Sequence, residues 1–483
     1  MRLLNPYIFI FFFMLIISSF AIGSQELNEN MNIIIFRKVT LVPMVNDDIV
    51  ENQTVVVIGN KIREIGFSNQ ITIPKRAEVI DGDGAYLMPG LCDMHIHTAF
   101  NWNDGSDVWR TSPLNLYLFN GVTTIRCFGP EGGDQKSALE WRKKINKGLL
   151  TGPSIYACGP ILFGPADNPG EIILDQAFAG FDFIKLYSYL TKTEFHEAVA
   201  AARHNGIYTA GHIPFPVGLK DALAEGMNEI AHIEELAWEL FSFDRNKNLK
   251  GRKWISYVKE MVFKQYENVY SAFDDKKLEA FFENQMISLS QMVKSAKVPI
   301  CTTLYLDEVI NKKLRQPDKF LSLPENKYLP EKYIAAFKKG KEKHLVMFKG
   351  KADFTLFKQK LDLLLLRYLK QQDVCFVLGT DSGSGRMGMV PGYSIHDELR
   401  ILTENGFSPY EAIKTGTVNA SIVAENMNGS GNFGTIETGK KADMILVKEN
   451  PLKDVGNIKK IIGVMASGRW YHKNRLEQLR NMN

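Results

Sequence analysis

Two histidines one residue apart, His95 and His97, close the apolar run 88–94 (MPGLCDM). In a β-strand the side chains alternate between faces, so both imidazoles point the same way and can grip one cation. Lys185 lies in 181–187 (FDFIKLY), on a strand face shared with Phe183 and Tyr187. If that face is internal, a charged lysine is costly there unless its charge changes. Reaction with carbon dioxide is one solution, giving a carbamate anion able to bridge two divalent ions; a salt-bridged or snorkelling lysine is the plain alternative. His212 follows 207–211 (IYTAG), His232 follows 229–231 (EIA), and Asp381 follows 376–380 (FVLGT). Each marks the point where an apolar strand gives way to a polar loop.

Positioning such residues requires parallel strands with their C-terminal ends on one side. The middle of the chain alternates strand-like and helix-like stretches, as in βα units. Strands are read at 121–129 (GVTTIRCFG), 181–187, 207–213, 229–233, 298–305 and 374–381. A closed (β/α)8 barrel fits this count better than an open sheet, and barrel enzymes keep their ligands at strand ends. No Gly-rich phosphate fingerprint follows the first strand, which argues against a dinucleotide fold. Short β-branched runs at 33–36, 54–58 and 78–80 are matched by runs at 444–447, 461–465 and 469–471, so one small β-sandwich domain is expected from both terminal segments. The expected organisation is 24–88 for the N-terminal part of that domain, 89–432 for the barrel and 433–483 for the C-terminal part. Helical insertions at about 236–297 and 307–372 exceed ordinary βα connections. They either cap the site or form a solvated appendage or a surface between copies in a homo-oligomer.

At 483 residues, 45% hydrophobic and 23% charged, the chain has an ordinary globular composition. A net charge of +4 spread over the whole length, without a basic stripe, gives no reason to expect nucleic acid. Residues 7–22 are almost wholly apolar behind Met1-Arg2, and Ala21-Ile22-Gly23 offers a cleavage site. Residues 1–23 therefore read as a signal peptide, with export to the periplasm or the exterior and no membrane attachment after cleavage. The five cysteines read mostly as buried small hydrophobes rather than a disulfide framework.

The ordered set PGLCDMHIH, GVTTIRCFG, FIKLYSYLT, AGHI, AHIEE, LGTDSG and PGYSIHDEL, followed by 434–443 (GTIETGKKAD), resembles the amidohydrolase superfamily. The likeness runs over nearly all of the mature chain and leans to the dipeptidase-like and imidazolonepropionase-like branch. It implies a binuclear centre: His95, His97 and Asp381 on one ion, His212 and His232 on the other, carboxylated Lys185 between them. Zinc is the default for such nitrogen and oxygen donors, with manganese or cobalt as substitutes. The implied activity is hydrolysis of an amide-like C–N bond in a small-molecule substrate such as a dipeptide, N-acyl amino acid or cyclic amide. Asp381 would carry the proton from the attacking water to the departing amine. A lactonase, esterase or phosphotriesterase-like reaction could use the same site, and an inactive binding protein is the reading outside catalysis. Deamination fits less well, because the mononuclear deaminases place a Glu shortly after the fifth-strand histidine, where this chain has Ile213-Pro214-Phe215-Pro216. Tyr187 is either the oxyanion donor or a packed barrel tyrosine, and Arg126 is either one half of a structural salt bridge or a bidentate contact for a substrate carboxylate. His396 is a candidate substrate contact, and Asp93 is expected to orient a ligand histidine. His196, His204, His344 and His472 are assigned no role.

Overall fold

A computed structural model describes residues 32–97, 107–129, 136–270, 275–383 and 387–481. The signal-peptide reading of residues 1–23 lies outside the described residues. Strands β1 (Ile33–Leu41), β2 (Val50–Ile58), β3 (Lys61–Phe67), β4 (Glu78–Asp81) and β5 (Tyr86–Pro89) come first. The middle strands are β6 (Leu91–Ile96), β7 (Val122–Cys127), β8 (Ser154–Ala157), β9 (Phe183–Leu186), β10 (Tyr208–Gly211), β11 (Glu229–Ile230), β12 (Ile300–Cys301) and β13 (Phe376–Val377). Strands β14 (Met444–Val447), β15 (Ile461–Ala466) and β16 (Arg469–His472) close the order.

Both termini meet in one sheet, ordered β16-β15-β14-β5-β1-β2-β3, with β4 paired to β1. The seam is the antiparallel pairing of β5 with β14, which sets Met88 opposite Ile445. Phe36, Val55, Leu87, Met444 and Leu446 are buried together on it, and Trp470 stands edge-on to Phe36 at 5.0 Å. Each such side chain withdrawn from water contributes roughly 1.5–3 kcal/mol. The expected union of the two terminal segments is therefore present. Its hydrogen bonding runs through a single sheet, where a sandwich implies two.

The middle strands are all parallel, in the sheets β6-β7-β8 and β9-β10-β11-β12-β13. These sheets join at both edges. Beyond β8, Cys158 bridges Phe183 and Leu162 bridges Leu186, while the Asp182 amide donates to the Ala157 carbonyl at 2.9 Å. At the opposite edge the Met94 and His97 amides donate to the Leu378 and Ser382 carbonyls, each at 2.8 Å. Strand β8 escaped the sequence reading because its four residues are hemmed in by Gly152-Pro153 and Gly159-Pro160. Strands β12 and β13 are two residues long, shorter than their apolar runs, and Tyr305 already opens a helix.

Between the parallel strands, Arg126 on β7 and Glu229 on β11 pair through both terminal guanidinium nitrogens, and both side chains are fully enclosed. Arg126 Nε also donates to the Met94 carbonyl at 2.7 Å, and the Tyr208 hydroxyl donates to Glu229 at 3.0 Å. The pair thus ties β6, β7, β10 and β11 together. Removing one partner would strand a buried charge at a cost of about 3–5 kcal/mol. Arg126 is therefore a structural cation, as its salt-bridge reading has it, and the alternative contact with a substrate carboxylate is corrected: its guanidinium is already spent.

The insertions fold as helices. Glu234–Trp238, Lys253–Tyr270 and Asp275–Ala296 lie between β11 and β12, and Tyr305–Arg315, Glu331–Lys338, Lys343–Met347 and Ala352–Gln371 lie among those between β12 and β13. Trp254, Val258, Val262, Tyr266 and Val269 recur at helical spacing and are all buried, so one face of Lys253–Tyr270 faces inward. Tyr266 meets Phe357 at 4.6 Å between ring centroids, which packs one insertion on the other. All five cysteines are free and four are buried, in line with their reading as small hydrophobes. Among the described residues no helix is long and apolar enough to cross a membrane.

Candidate metal centre

The ends of β6, β9, β10, β11 and β13 converge on one cluster. His95 and His97 leave β6, Lys185 lies in β9, His212 follows β10, His232 follows β11, and Asp381 lies in the loop after β13. Asp381 Oδ1 is 2.9 Å from His97 Nε2 and 3.6 Å from His95 Nε2. These three residues form a group able to hold a metal ion, with donor atoms within 4.8 Å of one another. The imidazoles continue as a chain of rings: His97 to His95 at 5.3 Å, His95 to His232 at 4.4 Å, His232 to His212 at 4.8 Å, then His212 to Tyr187 at 4.5 Å.

Close backbone approach makes this convergence possible, and two glycines of the sequence motifs permit it. A Cβ on Gly379 would lie 2.8 Å from His95 Cβ and 2.3 Å from Cys301 Sγ. A Cβ on Gly211 would lie 2.1 Å from the Leu186 carbonyl oxygen. Neither place admits a side chain. Asp381 itself has φ 57° and Thr303 has φ 49°, in the left-handed region that non-glycine residues enter at a cost of about 1–3 kcal/mol.

Each imidazole has one nitrogen committed elsewhere. Nδ1 of His95 meets the Ala231 carbonyl at 3.2 Å, that of His97 the Gly129 carbonyl at 2.9 Å, that of His212 Glu235 at 2.5 Å, and that of His232 the Thr303 hydroxyl at 2.9 Å. This is the outer arrangement that orients metal-ligating histidines and leaves Nε2 as the donor. His95 Nε2 and Lys185 Nζ are buried without any hydrogen-bond partner, an expensive state unless something else engages them. Lys185 stands over the Phe128 ring at 4.6 Å, and His95 stacks on the same ring at 3.8 Å. Asp93 accepts hydrogen bonds from the Thr380 amide at 3.0 Å and hydroxyl at 2.6 Å, and from the His95 amide at 3.4 Å. It aligns the backbone of His95 with the loop of Asp381.

Electrostatics favour a cation among these donors. Burial, then the neighbouring His232 and Lys185, holds His95 well below the usual imidazole range. Burial and His212 bring His232 down to about 3, and burial with Lys185 lowers His212 strongly. Burial lowers Lys185 to about 8. Burial alone would raise Asp381, but the hydrogen bond and charge of His97 hold it well below the carboxylate range. Neutral imidazoles at His95, His212 and His232 beside an ionised carboxylate are the protonation states that a divalent ion requires. At His97 burial pulls the other way, but the hydrogen bond and charge of Asp381 outweigh it and raise this imidazole above its usual range.

Phe128, Glu235 and Thr303 were not singled out from the sequence, although Glu235 stands in the AHIEE stretch that carried the resemblance. Its predicted effect is specific. Glu235→Ala should weaken metal affinity about 10–100-fold while the protein stays folded, because His212 loses its orienting partner. Competition against a chelator measures this, and unaltered affinity would refute the role.

His396 is placed elsewhere. It is buried in the helix Ser394–Glu404 beside a separate cavity of about 420 Å³ bordered by Asn120, Tyr393 and Arg480. No candidate ligand lines that cavity, so its expected substrate contact is corrected. The cavity adjoining the centre holds about 750 Å³ and is bordered by Tyr187, His212 and Glu235 on one side and by insertion residues on the other. His344, assigned no role above, also borders it and is buried.

A family model described as "Amidohydrolase family" matches residues 338–471. Ochratoxinase of Aspergillus niger is 23% identical over 76% of this chain and 71% of its own length. An imidazolonepropionase of Pseudomonas savastanoi pv. phaseolicola is 40% identical over 11% of this chain and 14% of its own. Among solved structures, a Xaa-Pro dipeptidase with bound methionine in its active site superposes with a TM-score of 0.63 at 19% identity, covering 91% of this chain and 100% of that one. A molinate hydrolase does so with a TM-score of 0.63 at 15% identity, covering 92% and 95%. The match over 338–471 makes that part of the chain similar to the amidohydrolase family, and the architecture shared with the solved structures extends over about 91% of the chain.

Proposed function

We propose that the chain is an exported, metal-dependent hydrolase of amide-like C–N bonds, with its parallel strands read as a closed (β/α)8 barrel. One observation carries this reading. Four imidazoles have their Nδ1 atoms tied down while His95 Nε2 and Lys185 Nζ are left buried and unpaired beside the Asp381 carboxylate. That donor set fits two divalent cations, with zinc as the first choice. His95, His97 and Asp381 would hold one and His212 and His232 the other, with Lys185 between them as its carbamate. The carbamate forms as the neutral amine adds to carbon dioxide and releases one proton, which turns an unpaired buried amine into an anion. Divalent ions bound there supply a water nucleophilic at neutral pH and polarise the scissile carbonyl.

The chain's own groups account for the remaining steps. The Asp381 carboxylate accepts the proton of the attacking water and delivers it to the departing nitrogen. His97 Nε2, at 2.9 Å from Oδ1, fixes the direction of that carboxylate. Tyr187, in ring contact with His212, would donate a hydrogen bond from its hydroxyl to the developing oxyanion. Residues of the insertions line one part of the cavity.

The test is protein expressed with zinc and bicarbonate, analysed for metal, and assayed on dipeptides, N-acyl amino acids and lactones side by side. About two ions per chain and turnover of the amide substrates are expected. Less than one ion per chain with no turnover would return the chain to the class of inactive binding proteins, and turnover of lactones alone would move it to C–O chemistry.

A further inference from the structure

The net charge is concentrated rather than spread. Residues 331–351 hold seven lysines and two glutamates, a net +5 where the whole chain has +4. All seven lysines, from Lys332 to Lys351, are exposed. Glu342 is buried and pairs with the Lys313 ammonium at 3.0 Å, and the same ammonium donates to His344 Nδ1 at 2.6 Å. Glu331 is left as the one exposed acid of the segment. Among the described residues no ion pair involves any of the seven exposed lysines. Lys358, further along the insertion, shows the contrast: Glu234 meets it at 3.0 Å, Asp307 at 2.9 Å and Asp362 at 2.8 Å.

The segment folds as the helices Glu331–Lys338 and Lys343–Met347. It packs on the helix Lys253–Tyr270, where Lys351 stands over the Phe263 ring at 3.8 Å and the Lys259 ammonium lies 3.4 Å from the Met347 sulfur. Burial lowers the Lys259 pKa against the pull of Glu234, and Lys343, Lys351 and Lys358 add to the fall, so these cations share one neighbourhood. Amid the lysines stand two exposed aliphatic side chains, Val346 at 61% and Met347 at 41%, while Tyr333, Phe337 and Phe348 are buried. Lys343 and Met347 also border the 750 Å³ cavity.

We propose that residues 331–351 dock the protein reversibly on an anionic lipid bilayer, with the lysines against the headgroups and Val346 and Met347 entering the interface. Apolar side chains ringed by lysines are the composition of interfacial anchors. Every cation of the segment is a lysine, a point charge suited to the diffuse field of a charged surface rather than a fork that grips one phosphate. Nucleic acid fits less well, because bases stack on exposed rings and this segment exposes none. A second copy would set like charge against like. Docking seats one rim of the cavity at the lipid surface, and the expectation of no membrane attachment after cleavage gives way to a peripheral, salt-sensitive one.

The experiment sediments the full chain, as exported by the expressing cell, with vesicles of phosphatidylcholine alone or mixed equally with phosphatidylglycerol. Each lysine near an anionic surface strengthens binding about fivefold, so the charged vesicles should bind at least about tenfold more tightly than the neutral ones. Salt at about 0.5 M should abolish the difference. Lys338→Gln, Lys339→Gln and Lys341→Gln together should weaken binding to charged vesicles about 100-fold. The matched triple Lys143→Gln, Lys144→Gln and Lys147→Gln, at exposed positions in and just after the helix Lys136–Asn146, should leave binding within about threefold of the parent. Val346→Trp should tighten binding, and its emission should shift to the blue on charged vesicles but not on double-stranded DNA. Equal or absent binding to the two kinds of vesicle overturns the proposal, as does equal loss in the two triple variants. An unshifted Val346→Trp emission on vesicles, with DNA binding that the 338–341 triple removes, makes the segment a nucleic-acid surface and overturns it too.

Discussion

Asp381→Asn is expected to abolish turnover while most of the bound metal is retained. The substitution keeps one oxygen near His97 and His95, which lie 2.9 and 3.6 Å from Oδ1 in the parent, but removes the negative charge and the proton acceptor together. An amide has no useful basicity, so the step that moves a proton from water to the leaving nitrogen loses its carrier. General acid–base participation contributes about 10²–10⁴-fold, and kcat should fall by at least that range. Metal analysis beside steady-state kinetics checks both halves. A kcat comparable to the parent would remove Asp381 from its role, and loss of all metal would make it a structural ligand first.

Lys185→Ala should be nearly inactive and partly rescued by short carboxylic acids such as acetate or propionate. The side chain is 1% exposed and its Nζ has no hydrogen-bond partner, so truncation leaves a pocket beside His95 and Phe128 that a small carboxylate can enter. The added acid would offer the two oxygens that a carbamate on Lys185 would supply. Full activity without rescue would show that no bridge is needed there.

The six candidate ligands could be singled out because strand alternation and chain order point to them and the family resemblance groups them. His95 and His97 share a face by the two-residue period, and His212, His232 and Asp381 each follow an apolar run, so no long-range contact had to be foreseen. Arg126 ends an equally apolar strand, and from sequence nothing distinguishes a guanidinium awaiting a substrate from one matched by Glu229, 103 residues away. His396 failed for a related reason: its helix follows the last strand in sequence but faces another cavity. His344 was passed over because a histidine among lysines in a short helix reads as solvated; its burial depends on Lys313 and on packing between helices that the sequence does not pair. Strand β8 was lost to its brevity, and the single terminal sheet to the fact that pairing partners lie some 350 residues apart, as Met88 and Ile445 do.

Lys358 belongs to the helix Ala352–Gln371, yet one of its three acidic partners, Glu234, stands two positions after His232. Roof and floor of the cavity are therefore bolted through one ammonium. Diversification of this scaffold is constrained accordingly: an insertion borrowed from a relative must bring a cation to the same spot or arrive with Glu234 already replaced, since a graft lacking both leaves a bare carboxylate two positions after His232. Specificity and the integrity of the centre cannot drift independently in such a molecule, and directed recombination of the insertion should succeed only with breakpoints that carry Glu234, Asp307, Lys358 and Asp362 as one block.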